Sequence, residues 1–188
     1  ETLPFVRLPE ANPKECQRVL DAGACGIILP MINSSNQLSK IKDACYWPPA
    51  GNRGVGFSRA NLFGKNFDLY AKLAQDPFLV AQIEHIDAVN NLDEIFSVDG
   101  LDAILVGPYD LSASMNLTGD FNHEDYNKIL KKIINLSKKY NIPCGNHIVN
   151  SDSKEIIKSI EAGFRFIAYC TDGIFLNDSS TLSNTLNI

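Results

Sequence analysis

Short, almost uninterrupted runs of branched apolar residues recur along this chain, separated by amphipathic stretches, and that alternation constrains its fold more than any other feature. The runs are Pro4 to Arg7, Gly26 to Pro30, Leu79 to Glu84, Ala103 to Gly107, Ile142 to His147 and Arg165 to Tyr169. Their Ile, Val, Leu and Phe occupy consecutive positions, as in strands of a parallel sheet that are buried on both faces. The intervening stretches predict helices. Asn12 before Pro13 reads as a helix start, and Asp152 three residues before Glu155 as a capping box. Ile129, Ile133, Leu136 and Tyr140 share one helical face. Gly23, Gly100 and Gly163 each precede a strand and read as helix C-caps. The repeated order of strand and helix predicts an α/β fold around a parallel sheet.

With 188 residues, 45% hydrophobic and 21% charged, the chain can bury one sizeable core, and a single domain over residues 1–188 is expected. A net charge of −5 offers no basic stripe for a nucleic-acid backbone, so small molecules are the expected partners. No apolar run approaches the roughly 18 residues of a membrane span. The 5 cysteines lack any CxxC pair and read as reduced, mostly buried thiols of a cytoplasmic protein. The chain begins at Glu1 and runs almost at once into a strand, so it is expected to lack its natural beginning. Tyr46 to Asn66 carries too many prolines and glycines for a regular helix and is expected to be a functional or interfacial loop. Its Arg53 and Arg59 suit packing against another subunit better than anion binding.

In parallel α/β folds the reactive groups gather at the carboxyl ends of strands. The third run ends with Gln82 and Glu84, two residues apart and therefore on one face. The fourth leads into Gly107, Pro108, Tyr109 and Asp110. A carboxylate at each of two neighbouring strand ends makes a hard oxygen pair suited to Mg²⁺ or Mn²⁺, with room for water and substrate. Gly107 and Pro108 shape a tight turn there, and Arg7 ends the first run at the same rim. Each has a plainer reading: Glu84 as a solvated charge, Asp110 as a helix cap, Arg7 in a salt bridge with a loop. His147 ends the fifth run and is a possible acid or base, although a structural histidine fits as well. His85 alternates away from Glu84, and His123 sits near a helix start.

Taken together, Phe5-Val6-Arg7-Leu8-Pro9, Ile28-Leu29-Pro30-Met31, the Pro-Pro-x-Gly-x-Arg-Gly-Val-Gly pattern from Pro48 to Gly56, Gln82-Ile83-Glu84 and Gly107-Pro108-Tyr109-Asp110-Leu111-Ser112 resemble the HpcH/HpaI aldolases. The resemblance runs nearly end to end and is closest to the branch acting on sugar-derived 2-oxo acids such as 2-dehydro-3-deoxyglucarate. It implies a TIM (β/α)8-type barrel of which about six of the eight units lie in this chain. It further implies a class II, pyruvate-dependent carbon–carbon lyase using Mg²⁺, Mn²⁺ or Co²⁺, with pyruvate and an aldehyde as reaction partners. Glu84 and Asp110 would ligate the metal, Arg7 would act at the enolate oxygen, and Gln82 with Gly107, Pro108 and Tyr109 would hold substrate. No lysine sits at a strand end to offer a Schiff base instead.

Two departures from the family pattern stand out. The resemblance places two further βα units ahead of the Arg7 strand, the second supplying a histidine base; a fragment or truncated product is therefore expected, with His147 a poor full replacement. Cys170 stands where glycine is usual. A non-catalytic remnant is the competing expectation, and a related acyl-CoA lyase a weaker one, because no basic cluster is evident for a CoA phosphate. Such aldolases are usually homo-oligomers that exchange their last helix, which here would fall within Phe175 to Ile188.

Overall fold

The computed structural model describes residues 2–184, with side chains through Ser180. Six strands form one parallel sheet in chain order: β1 (Phe5–Arg7), β2 (Gly26–Leu29), β3 (Phe78–Ile83), β4 (Ala103–Val106), β5 (Cys144–Ile148) and β6 (Phe166–Tyr169). The sheet curls into a half-barrel, with β1 and β6 as its edges. Between the strands run α1 (Pro13–Asp21), α2 (Ser35–Cys45), α3 (Phe67–Leu73), α4 (Ile86–Asn90), α5 (Leu92–Phe96), α6 (Pro108–Ser114), α7 (Glu124–Tyr140) and α8 (Lys154–Ala162); α9 (Asp172–Asn184) follows β6.

Period-two alternation divides the apolar runs between two layers. Leu79, Ala81, Ile83, Ile104 and Val106 point outward and form the main core with Leu20, Leu38, Ile95 and Ile133 of the helices. Val80, Ala103 and Leu105 point inward, where Phe5, Ile28, Phe166 and Ala168 pack beside them. Burial on both faces explains why the runs are continuous rather than alternating. Strand pairing sets Gln82 beside Leu105 and Leu105 beside Gly145, so Gln82, Glu84 and His147 inherit the inward direction.

The expected helix of Ile129, Ile133, Leu136 and Tyr140 is α7, and all four pack on the main core. Asn12 caps α1 by accepting the Glu15 N–H at 3.0 Å. Asn12→Ala should cost about 1 kcal/mol, read as a lower urea midpoint with an unchanged slope. Gly163 is the C-cap of α8, at φ 114°. Gly100, in contrast, lies beyond Ser97, the C-cap of α5, and turns the chain at φ 82° just before β4. The Asp152 to Glu155 box does not form either: α8 has Ser153 as its N-cap, and Asp152 accepts the Lys154 N–H at 2.9 Å. Asp152 thus holds the turn before the helix.

The Tyr46 to Asn66 segment is a loop closed by a 3-10 turn, Arg59–Gly64. It contributes more to the core than its composition suggests, since Tyr46 and Trp47 are buried. Arg53 is only 2% exposed. Its Nη2 donates to Tyr70 Oη at 2.9 Å, and its guanidinium lies over the Trp47 and Tyr70 rings. Arg59 donates to Ala22 O. Arg53 is thus turned inward, whereas Arg59 remains exposed, as do the large apolar side chains Val55, Phe57, Leu62 and Phe63 of the loop. The cysteines are all free, four of them buried and Cys25 exposed.

Candidate active site

Glu84 leaves the end of β3 on the inner face and is 1% exposed. Burying a carboxylate is costly unless its oxygens are engaged, and both are. Oε2 accepts from Gln82 Nε2 at 2.6 Å, and Oε1 from the backbone N–H of Met31 at 2.8 Å. Gln82 in turn accepts from Arg7 Nε through its Oε1, at 3.4 Å. Arg7, Gln82 and Glu84, contributed by β1 and β3, therefore form one hydrogen-bonded line across the strand ends.

Burial pushes the Glu84 carboxyl above the usual glutamate range, the Met31 N–H pulls it back, the charge of Asp110 raises it again, and Arg7 and Gln82 lower it. Asp110 is close enough to repel Glu84 but is itself exposed. It occupies the third position of α6, whose N-cap is Gly107; Asp110 is thus a first-turn acid rather than a cap. Gly107 is required where it stands, because a Cβ there would come within 2.6 Å of Glu84 Oε2 and 3.0 Å of Gln82 Nε2. Its N–H is already given to Ile83 O and Pro108 has none, so the α6 backbone donors facing this rim belong to Tyr109 and Asp110.

The Glu84 and Asp110 carboxylates, by contrast, suit a divalent cation. Two hard carboxylates that repel one another, one of them buried and pre-aimed, are relieved by a cation bound between them. Among the described residues no group of three or more His, Cys, Asp or Glu is placed to hold a metal. A cation at Glu84 and Asp110 would therefore complete its shell with water and substrate oxygens, the habit of Mg²⁺ and Mn²⁺.

His147 points inward from β5 but, among the described residues, is joined to this line by no hydrogen bond or ion pair. It lines a cavity of about 410 Å³ with Pro108, Tyr109, Tyr126, Asn146 and Ile174. Burial lowers its pKa from the ordinary 6.5, which favours the neutral imidazole. A depressed folded pKa contributes stability that is present above the unfolded value and is lost as pH falls through the folded one. An NMR titration should accordingly place the His147 midpoint below 6.5, and stability should decline on acidification beneath that value. The other two histidines are caps: His85 Nδ1 accepts the Asp87 N–H at the start of α4, and His123 Nδ1 the Asp125 N–H at the start of α7. Met31, at φ 51°, is the site contact that sequence reasoning missed. Its contribution is a backbone N–H, for which a side-chain pattern has no signal.

Residues 1–178 match the family model described as HpcH/HpaI aldolase/citrate lyase. The chain is 34% identical over 184 residues to a hydroxypyruvate/pyruvate aldolase of Roseobacter denitrificans, covering 96% of this chain and 71% of that protein. It is 32% identical to a 5-keto-4-deoxy-D-glucarate aldolase of Salmonella arizonae, covering 97% and 71%. A crystal structure of an HpcH/HpaI aldolase/citrate lyase family protein from Burkholderia cenocepacia superposes with a TM-score of 0.89 at 29% identity, over 97% of this chain and 72% of that one.

Proposed function

The chain belongs to the HpcH/HpaI aldolase/citrate lyase family, and on that premise we propose that it is a divalent-metal carbon–carbon lyase that cleaves or forms a hydroxylated 2-oxo acid, with pyruvate as one partner and an aldehyde as the other. The observation that carries this reading is the line from Arg7 through Gln82 to buried Glu84, with the Asp110 charge beside it. Glu84 and Asp110 would hold Mg²⁺, Mn²⁺ or Co²⁺. Bound there, the cation would supply Lewis-acid polarisation of the keto group.

The remaining work falls to the chain's own groups. Gln82 fixes Glu84 Oε2 and the Arg7 guanidinium relative to one another. Arg7 brings a permanent positive charge to the rim, where negative charge grows on the keto oxygen as the carbon–carbon bond breaks. Pro108 and Tyr109 wall the approach from α6. His147, whose pKa burial lowers, is the candidate acid or base within these residues. The names of the Roseobacter and Salmonella relatives support a 2-oxo acid substrate. A cytoplasmic homo-oligomer is the setting we assign. The exposed Phe57, Leu62 and Phe63 supply an apolar surface for subunit contact. In α9, the Phe175 ring packs edge-on to Tyr169 and Leu176 is exposed; the Leu182 side chain and Leu186 lie outside the described residues. No described helix is long and apolar enough to cross a membrane.

Proton NMR of pyruvate in D₂O tests the reaction. The intact protein should wash out the methyl-proton signal in the presence of Mg²⁺, Mn²⁺ or Co²⁺ and not after chelation. Metal binding without exchange under any of the three would overturn the lyase and favour a non-catalytic metal-binding remnant.

A further inference from the structure

The turn after β2 is held at four backbone groups. Met31 O accepts from Gln37 Nε2 at 3.1 Å, and Asn33 N–H donates to Gln37 Oε1 at 3.0 Å. Asn33 O accepts from Asn91 Nδ2 at 2.8 Å, and the Met31 N–H is given to Glu84 Oε1 at 2.8 Å. Met31 itself sits at φ 51°, a region that side chains larger than glycine or asparagine rarely adopt. Such a conformation persists only where its surroundings over-determine it. A single side chain, Gln37 in the first turn of α2, grips both ends of this turn without touching Glu84.

We propose that Gln37 is a positioning residue for Glu84, acting through the Met31 turn. By holding Met31 O and Asn33 N–H together, it keeps Met31 in its left-handed conformation and so keeps the Met31 N–H aimed at the carboxylate. Released from Gln37, Met31 relaxes toward negative φ and its N–H swings off Oε1. Glu84 is then tied only through Gln82 on its other oxygen. The plainer role of Gln37, capping α2, accounts for less of the geometry. Ser34 Oγ accepts the Gln37 N–H at 3.2 Å, and the Asn33 N–H reaches back to the Gln37 side chain, a pairing that ends at Asn33. The bond from Nε2 to Met31 O lies outside it. Side chains that orient a metal-binding carboxylate typically change metal affinity about 10–100-fold when removed.

The functional half of this inference rests on the proposed metal role of Glu84, so the test has two readouts: the Met31 amide, by NMR shift and hydrogen exchange, and Mn²⁺ affinity, by the EPR signal of free Mn²⁺. The variants are Gln37→Ala, Gln37→Glu and Ser34→Ala in the full chain. Gln37→Glu still accepts from Asn33 and keeps the cap but cannot donate to Met31. Its added negative charge favours cations, so a loss of affinity in that variant has a geometric cause. In Gln37→Ala and Gln37→Glu the Met31 amide should shift upfield and exchange at least about tenfold faster, and Mn²⁺ affinity should fall about tenfold or more. Ser34→Ala, which weakens the helix start alone, should lower the melting temperature and leave both readouts at their wild-type values. An unmoved Met31 amide in Gln37→Glu, or a moved amide with unchanged Mn²⁺ affinity, overturns the inference. Absence of Mn²⁺ binding in the wild type overturns the metal reading instead; the Met31 amide then still decides whether Gln37 holds the turn onto Glu84.

Discussion

Replacing Glu84 by glutamine should remove the stabilisation that a divalent cation gives this chain. In the wild type, Mn²⁺ at about 100 times its dissociation constant should add about 2.7 kcal/mol, a rise of roughly 5–10 °C in melting temperature for a chain of this size. Glu84→Gln should show almost none of it. The physical reason lies in the carboxyl group. Glu84 is buried, and burial together with the Asp110 charge raises its pKa. A carboxyl whose folded pKa is raised contributes stability that is present at acid pH, below the unfolded value near 4.3, and is lost as pH rises through the folded pKa. The ionised form of Glu84 is thus costly in the folded chain, and a cation offsets that cost. Glutamine keeps the shape but has no charge to offset. Calorimetry of both proteins with and without Mn²⁺ checks this; an equal shift in the two would place the cation elsewhere.

Gly107→Ala should be the most damaging small change at the site. The backbone at Gly107 has φ −93°, a value alanine adopts readily, so the damage does not come from backbone conformation. It comes from space: the new methyl would sit 2.6 Å from Glu84 Oε2 and 2.8 Å from Glu84 Cβ. Both atoms belong to a side chain fixed on two sides, by Gln82 and by the Met31 N–H. Relief requires the carboxylate to move or β4 to withdraw from β3. Overpacking of this kind costs about 1–3 kcal/mol, or roughly 2–12 °C in melting temperature. Mn²⁺ affinity should fall along with stability. A Gly107→Ala protein with wild-type melting and wild-type Mn²⁺ binding would show that the close packing of glycine against Glu84 is dispensable.

How much of this was legible in the sequence depends on which groups make each contact. Gln82, Glu84 and Arg7 could be placed because strand residues alternate faces and parallel strands deliver their last side chains to one rim; the hydrogen bonds from Arg7 to Gln82 and from Gln82 to Glu84 follow that logic. Gly107 could be placed at a tight turn, but its packing against Glu84 depends on the register between β3 and β4, which pairs Ile83 with Val106. The Met31 contact spans 53 positions and uses a backbone N–H, so residue identity does not signal it. Arg53 misled for a related reason. Two arginines in a glycine-rich loop suit packing against another subunit, whereas Trp47 and Tyr70 draw the Arg53 guanidinium inside. Asp152 and Glu155 have the spacing of a capping box, yet Asp152 closes a turn onto Lys154 and the helix begins at that residue. Local side-chain bonding to the backbone competes with helix initiation at such positions.

Glu84 and Asp110 are proposed to share one divalent cation. An anomalous-difference map from a crystal of the chain soaked in Mn²⁺ tests it most directly. A peak should appear in contact with both carboxylates, with the remaining contacts made by water, or by pyruvate when it is added. A peak at another cluster, or a well-occupied Mn²⁺ that touches neither Glu84 nor Asp110, would contradict it.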